Sequence, residues 1–307
     1  MIEIDYIACP GRSGSTLVGS VLGLAPRHVF VGELRGVWKE GLKENHPCGC
    51  GRNFRDCDFW QSVFAQAFGG FDAPGAVALA AMLRELDDRS SGLRGLRNVW
   101  LFRRGKGPVP DRLAPIARLY AAIVAVSGAA VVVDSSKSLR YAALLAATPG
   151  LEPRLTNLVR DPRGLISSRS KRARRRDGSE RTNVRSARRM RIVRTVAKWA
   201  LRNALAARVM RRDGGIRLIY EDFVSDQSWY LAAVLGSSEA ATVERRLAQG
   251  IGPEIVQHQL GGNWVRQLKI SSVERWRTDL PLLPRLIAGA LSAPFRAFYR
   301  SRVYQSR

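Results

Sequence analysis

A chain of 307 residues with 46% hydrophobic content is long enough to bury a full core, in one large domain or two modest ones; this excludes a disordered chain and a small disulfide-stapled scaffold. Its 50 Lys and Arg against 26 Asp and Glu leave a net charge of +24, which points to an anionic partner: a nucleotide, an acidic glycan, an anionic membrane surface or nucleic acid. Only 7 of the basic residues are Lys, so a general preference for Arg contributes to the excess.

The opening run Ile2-Glu3-Ile4-Asp5-Tyr6-Ile7-Ala8 is acidic and too short for the apolar segment of an export signal. Residues 4–8 read instead as a short buried strand, followed by a turn over Cys9-Pro10-Gly11-Arg12-Ser13-Gly14 and a helix from Ser15 to Leu24. A second strand, Val29 to Val31, ends at Gly32-Glu33. Residues 45–57 read as a loop, and helices are expected at 58–68, 76–88 and 111–126. The longest apolar stretch, Leu119 to Val133, is broken by Ser127 and Gly128 and is too short for a membrane span. The expectation is a cytoplasmic protein.

Ala130 to Asp134 has the continuous apolar pattern of a strand covered on both faces. A helix at 138–147, a strand at Leu155–Val159 and a strand at Ile216–Tyr220 follow. Strands alternating with helices predict an α/β fold with a mainly parallel sheet and no internal repeat. Residues 169–194 form a strongly basic segment, with a loop tip at Asp177-Gly178-Ser179 and helical periodicity from Val184 to Met210.

Two places in this plan suit anions. Gly11-Arg12-Ser13-Gly14-Ser15-Thr16 lies between a strand and a helix, where loop and helix amides point at a phosphate and the helix dipole favours it. The loop is shorter than the GxxxxGK[ST] pattern and has no Lys before its hydroxyls; Arg12 is its basic group. The second place, Val159-Arg160-Asp161-Pro162-Arg163-Gly164-Leu165-Ile166-Ser167-Ser168, puts Arg160 at a strand end, where open parallel sheets bind ligands. Ser168 and Arg172 share a face of the helix that follows, and Arg with Ser suits a phosphate monoester. Taken alone, this segment also reads as a solvated basic helix start after an Asp-Pro turn. As a pair, the two segments suit a nucleotide with phosphates at both ends of its ribose.

At these residues the chain resembles the sulfotransferases that use 3′-phosphoadenosine 5′-phosphosulfate (PAPS), in particular the bacterial branch related to carbohydrate and tyrosylprotein sulfotransferases. Arg12-Ser13-Gly14-Ser15-Thr16-Leu17 resembles the family's 5′-phosphosulfate loop, and Arg160 through Ser168 its 3′-phosphate segment. Val133-Asp134-Ser135-Ser136-Lys137 and Gly261-Gly262-Asn263-Trp264-Val265-Arg266 also look like family segments. The resemblance runs from the first strand to Trp276. It implies a P-loop-like three-layer α/β fold, a single domain over 1–307, and PAPS as co-substrate with no required metal. It also implies Arg172 on the 3′-phosphate and Asn263 and Arg266 closing over the nucleotide.

Sulfuryl transfer asks for a base, for cations at the leaving oxygen, and for positioning. Glu33, after the second strand, is the candidate base; the resemblance puts the catalytic Glu of the tyrosylprotein relatives here. An ion pair of Glu33 with Arg35 or another Arg is the structural alternative. Lys137 is the candidate cation for the bridging oxygen, with a pair to Asp134 as its alternative and Ser136 as a residue that could orient it. Arg12 completes the set.

His46, Cys48, Cys50 and Cys57 fall within twelve residues. A disulfide or reduced, packed thiols is the simpler reading and a zinc site the alternative, so no metal ligand is assigned. Two other functions compete. A P-loop kinase lacks its loop Lys here and has no use for the second anion segment. A nucleic-acid-binding protein would use residues 169–194, which lack interleaved aromatics, so no nucleic-acid partner is expected. The Arg-bearing tail Leu282–Tyr299 reads as core packing or as peripheral contact with an anionic membrane. The acceptor is a hydroxyl on a glycan, a glycolipid, a phenol or a small metabolite.

Overall fold

The computed structural model describes residues 1–88, 110–177, 185–250, 257–262, 276–300 and 304–305. Among the described residues six strands form the sheet: β1 (Ile2–Ala8), β2 (His28–Gly32), β3 (Val131–Lys137), β4 (Leu151–Val159), β5 (Gly215–Ile219) and β6 (Tyr304–Gln305), in the order β2-β3-β1-β4-β5-β6. The pairings β1–β3, β2–β3 and β4–β5 are parallel, and the short β6 runs antiparallel to β5. Helices flank the strands, so the class is the expected α/β fold with a mainly parallel central sheet. No helix among the described residues is long and apolar enough to cross a membrane.

The chain divides into two compact units. One holds Met1–Ala8, Thr16–Leu155 and Leu231–Leu268; the other holds Cys9–Ser15, Thr156–Tyr230 and Lys269–Arg307. In the first unit, Trp60, Phe54, Phe64 and Tyr120 are fully buried in a core built on β1, β2 and β3. Phe54 meets the Trp60 ring at 5.0 Å and Phe64 edge-on at 5.7 Å. Burying each large apolar side chain contributes about 1.5–3 kcal/mol, so this aromatic group anchors the cysteine-bearing loop. In the second unit, Val159, Leu165, Trp199 and Tyr299 make one cluster, and Ile166, Ile192, Val196 and Trp276 another.

Most element boundaries shift by one to four residues from the expectation, the first helix ending at Leu22 and not Leu24 among them; three shifts are instructive. β3 continues past Asp134 to Lys137, because its polar end is satisfied: the Ser135 hydroxyl donates to the Gly32 carbonyl (3.2 Å) and the Ser136 amide to Asp134 (2.7 Å). β4 begins at Leu151 rather than Leu155; Arg154 pairs there with Asp5 and Glu3, both at about 2.9 Å, which settles a stretch that reads as loop. β5 ends one residue early, since Tyr220 starts the helix Tyr220–Ser225. Residues Val37–Lys43 form a π-helical turn that hydrophobic periodicity does not predict.

Candidate active site

In the second unit the two anion segments are joined. Arg12 adopts a left-handed backbone (φ 79°) and its Nε donates to Ser168 Oγ at 2.9 Å. Arg160 Nη1 donates to the Arg12 carbonyl at 3.1 Å, while its guanidinium lies 4.3 Å from the centre of the Tyr220 ring. The loop itself turns through Ser13, whose hydroxyl donates to the Pro10 carbonyl (2.7 Å). Gly14, at φ 95°, has no room for a side chain: a Cβ would fall 2.1 Å from Tyr220. A Cβ at Gly11 would meet nothing within 4 Å, so that glycine leaves open space above the loop.

Arg160 is not the solvated residue of the structural alternative. A Cβ at Gly164 would lie 2.8 Å from its Nε, the Trp199 indole donates to its carbonyl (2.9 Å), and its buried Nε has no hydrogen-bond partner. A buried guanidinium N–H without an acceptor fits an anionic ligand oxygen. The Asp-Pro turn is present too: Asp161 accepts from the Arg163 amide (2.8 Å) and caps the helix Pro162–Asp177, with Pro162 at its first position. Arg163 is spent on Asp161 (2.6 Å) and on the face of Trp276, so it belongs to the scaffold. Glu221 accepts from the Asp161 amide, and burial first of all raises its carboxyl to about 7.

In the first unit, Lys137 Nζ donates to Glu33 Oε1. Both side chains are about one-fifth exposed, so the pair faces solvent enough to be reached. Neither structural alternative holds for this pair. Arg35 bonds to Asp87, and Asp134 is taken by the Tyr120 hydroxyl (2.5 Å) and the Ser136 amide. Ser136 Oγ accepts from the Arg35 amide (2.9 Å) and does not orient Lys137. Lys137 is itself left-handed (φ 67°). Among the described non-glycine residues this backbone occurs at Arg12, Asn45 and Lys137, and each instance costs about 1–3 kcal/mol. Asp134 behind the pair is fully buried, and desolvation above all raises its carboxyl to about 6.

Glu40 is a second carboxylate here that the sequence reading missed. The π-helical turn carries it back toward Glu33: a Cβ on Gly261 would lie 2.6 Å from Glu40 Oε2 and 3.5 Å from Glu33 Cβ. Burial, then the charge of Glu33, raises its pKa. The segment 260–262 closes against these residues. The Glu33 amide donates to the Leu260 carbonyl (2.7 Å), and a Cβ on Gly262 would lie 2.6 Å from Thr16 Oγ1. Ser15 and Leu17 stand in the first turn of the helix Ser15–Leu22. Asn263 and Arg266 lie outside the described residues, as does the expected loop tip at 178–179; Arg172 stands in the helix Pro162–Asp177, with its side chain outside the description.

The cysteine loop departs from the sequence reading at its histidine. His46 points outward to Glu44 (3.2 Å). His258 takes the place beside the thiols instead, with Nδ1 3.2 Å from Cys57 Sγ and 3.8 Å from Cys48 Sγ. All four cysteines are free thiols. The hydrogen bond from Cys48, and after it the one from His258, pulls the Cys57 thiol well below its ordinary range; the same bond pushes Cys48 up.

No family model matches this chain, and neither does any curated protein. Among the solved structures similar to it are three sulfotransferases. The sulfotransferase domain from the curacin biosynthetic pathway is 16% identical at a TM-score of 0.48, covering 100% of this chain and 98% of that one. The sulfotransferase domain from the Synechococcus PCC 7002 olefin synthase is 17% identical at 0.47, covering 96% and 94%. The sulfotransferase STF9 from Mycobacterium avium is 14% identical at 0.48, covering 100% of this chain and 79% of that one.

Proposed function

We propose that this chain is a sulfotransferase that moves a sulfuryl group from PAPS to an acceptor hydroxyl. The observation that carries the reading is the junction of the two anion segments, in which Arg12 donates to Ser168 and Arg160 to the Arg12 carbonyl, with the Arg160 Nε buried and unpartnered. A nucleotide with anionic groups at both ends of its ribose engages both segments. A nucleoside triphosphate engages one.

In this reading the amides and hydroxyls of residues 11–17 hold the 5′-phosphosulfate, and Arg160, Ser168 and Arg172 hold the 3′-phosphate. Asn263 and Arg266 close over the nucleotide. Glu33 takes the proton of the acceptor hydroxyl as its oxygen attacks sulfur. The bond from sulfur to the bridging oxygen breaks, and Lys137 and Arg12 balance the charge that develops on that oxygen. The products are a sulfate ester and 3′-phosphoadenosine 5′-phosphate (PAP). Positioning and fixed cations supply the catalysis, and Mg²⁺ is not required. The acceptor is a hydroxyl on a glycan, a glycolipid or a small metabolite. Leu282, Leu283 and Leu286 are exposed on the helix Leu282–Arg300 near Arg285, which supports contact with an anionic membrane on the way to a lipid acceptor.

The test uses sulfate-labelled PAPS and a panel of hydroxyl acceptors without added Mg²⁺. Labelled ester should form. Calorimetry should show PAP binding more tightly than AMP. Equal affinity for the two nucleotides, together with phosphoryl transfer from ATP that depends on Mg²⁺, would replace this reading with that of a kinase.

A further inference from the structure

The sulfur atoms of Cys48, Cys50 and Cys57 and a ring nitrogen of His258 all lie within 4.8 Å of one another. Cys50 Sγ is 3.6 Å from Cys57 Sγ, and His258 Nδ1 is 3.2 and 3.8 Å from Cys57 and Cys48. A tetrahedron with Zn–S of about 2.3 Å and Zn–N of about 2.0 Å has S···S edges of roughly 3.8 Å and S···N edges of roughly 3.5 Å. The spacings therefore match the edges of a zinc tetrahedron. At 3.6 Å, Cys50 and Cys57 are too far apart to be bonded, and Cys48 is a free thiol as well.

We propose that Cys48, Cys50, Cys57 and His258 bind one structural zinc ion. Three thiolates and an imidazole are the donor set that zinc prefers, and four protein ligands close the shell, which makes the site structural and not catalytic. Cys48 and Cys57 are buried and Cys50 half-buried, so the ion is shielded from solvent.

The surroundings hold each ligand in place. The Gly51 amide donates to the Cys48 carbonyl (2.9 Å), forming the tight turn that brings Cys48 and Cys50 to one side. The His258 ring stacks on Phe59 at 4.5 Å, and the Trp60 indole donates to the His258 carbonyl at 3.0 Å. The Gly49 amide donates to the Gln259 carbonyl (2.9 Å), and a Cβ at Gly49 would lie 2.3 Å from the Gln257 carbonyl oxygen. The ion thus fastens residues 257–260 to a loop some 200 positions earlier. Leu260, two residues beyond His258, bonds to both Val31 and the Glu33 amide. Zinc here fixes the segment on which Glu33 rests.

The full chain, purified under reducing conditions without added metal, should carry about one zinc per chain by elemental analysis. Replacing it with Co²⁺ should give the visible bands of tetrahedral cobalt and a thiolate-to-cobalt charge-transfer band. His258→Ala and Cys57→Ser should lose bound metal, whereas His46→Ala should keep it. Because the ligand variants can also unfold, thiol titration of the native wild-type protein gives a second reading. Three of the four cysteines should be slow to react until a strong chelator is added. The proposal is overturned by a folded, reduced chain without zinc or a cobalt spectrum, by thiols indifferent to chelator, or by metal lost with His46→Ala and kept with His258→Ala.

Discussion

The proposed anion cradle and the Glu33–Lys137 region are built by opposite means. The cradle is made of two short segments, 11–15 and 160–168, each of which carries its chemistry in consecutive residues. Glu33, Glu40, Lys137 and the thiol cluster draw on β2, a π-helical turn, the end of β3 and residues 257–262, and no one segment contains the arrangement. Cations that read a phosphate can sit on one loop, because loop amides and a helix start already supply most of the field. A proton acceptor with its counter-charge has to be assembled from separate strand ends, since neighbours along a strand point to opposite faces.

The change that would break this division most sharply is Glu33→Gln. Loss of a general base lowers turnover by about 10²- to 10⁴-fold, with PAP affinity nearly unchanged. Single-turnover assays with limiting chemistry measure it. Wild-type turnover in Glu33→Gln combined with a large loss in Glu40→Gln would move the base to Glu40. Arg160→Ala comes next. Removing charge-assisted hydrogen bonds worth about 1.5–3 kcal/mol should weaken PAP by roughly 10- to 150-fold and leave AMP little changed. Loss of both affinities equally would mean that Arg160 holds the loop and not the 3′-phosphate.

Gly14→Ala tests the cradle's packing. With φ 95° and Tyr220 2.1 Å from the added Cβ, it should lower the denaturation midpoint by the equivalent of about 1–3 kcal/mol; Gly11→Ala, with nothing within 4 Å, should change stability much less. The remaining test runs through pH and concerns Glu221. Its folded pKa, about 7, stands above the ordinary carboxyl value, so the folded state holds a proton that the unfolded chain has released. Its contribution to stability, on the order of 3 kcal/mol, is therefore lost as pH rises from about 4.5 to 7. Denaturation curves across that window should show a steeper fall for the wild type than for Glu221→Gln.

Legibility in the sequence follows the same division. The strand cores of β1, β3 and β5, the loop at Arg12 and the segment from Arg160 to Ser168 are visible because each depends on residues a few positions apart. The pairing of Glu33 with Lys137, 104 positions apart, is conceivable from two strand ends, but the competing partners Arg35 and Asp134 are far nearer in sequence. Only the folded positions of Asp87, Tyr120 and Ser136 remove them. Glu40 was invisible because a π-turn has no signature in hydrophobic spacing. His258 lies 201 positions from Cys57, so proximity in sequence favoured His46, whose ring turns to solvent.

The left-handed backbones of Arg12 and Lys137 set stability against chemistry. The backbone at each position would be satisfied by Gly or Asn, while the proposed transfer chemistry asks for a long cation. Selection for heat resistance alone would therefore drift toward Gly or Asn at 12 and 137, which adopt the left-handed backbone at the least cost. Variants recovered that way should be sturdier and slower. A library selected for heat resistance would mark these two positions as functional by enriching the substitutions that silence them.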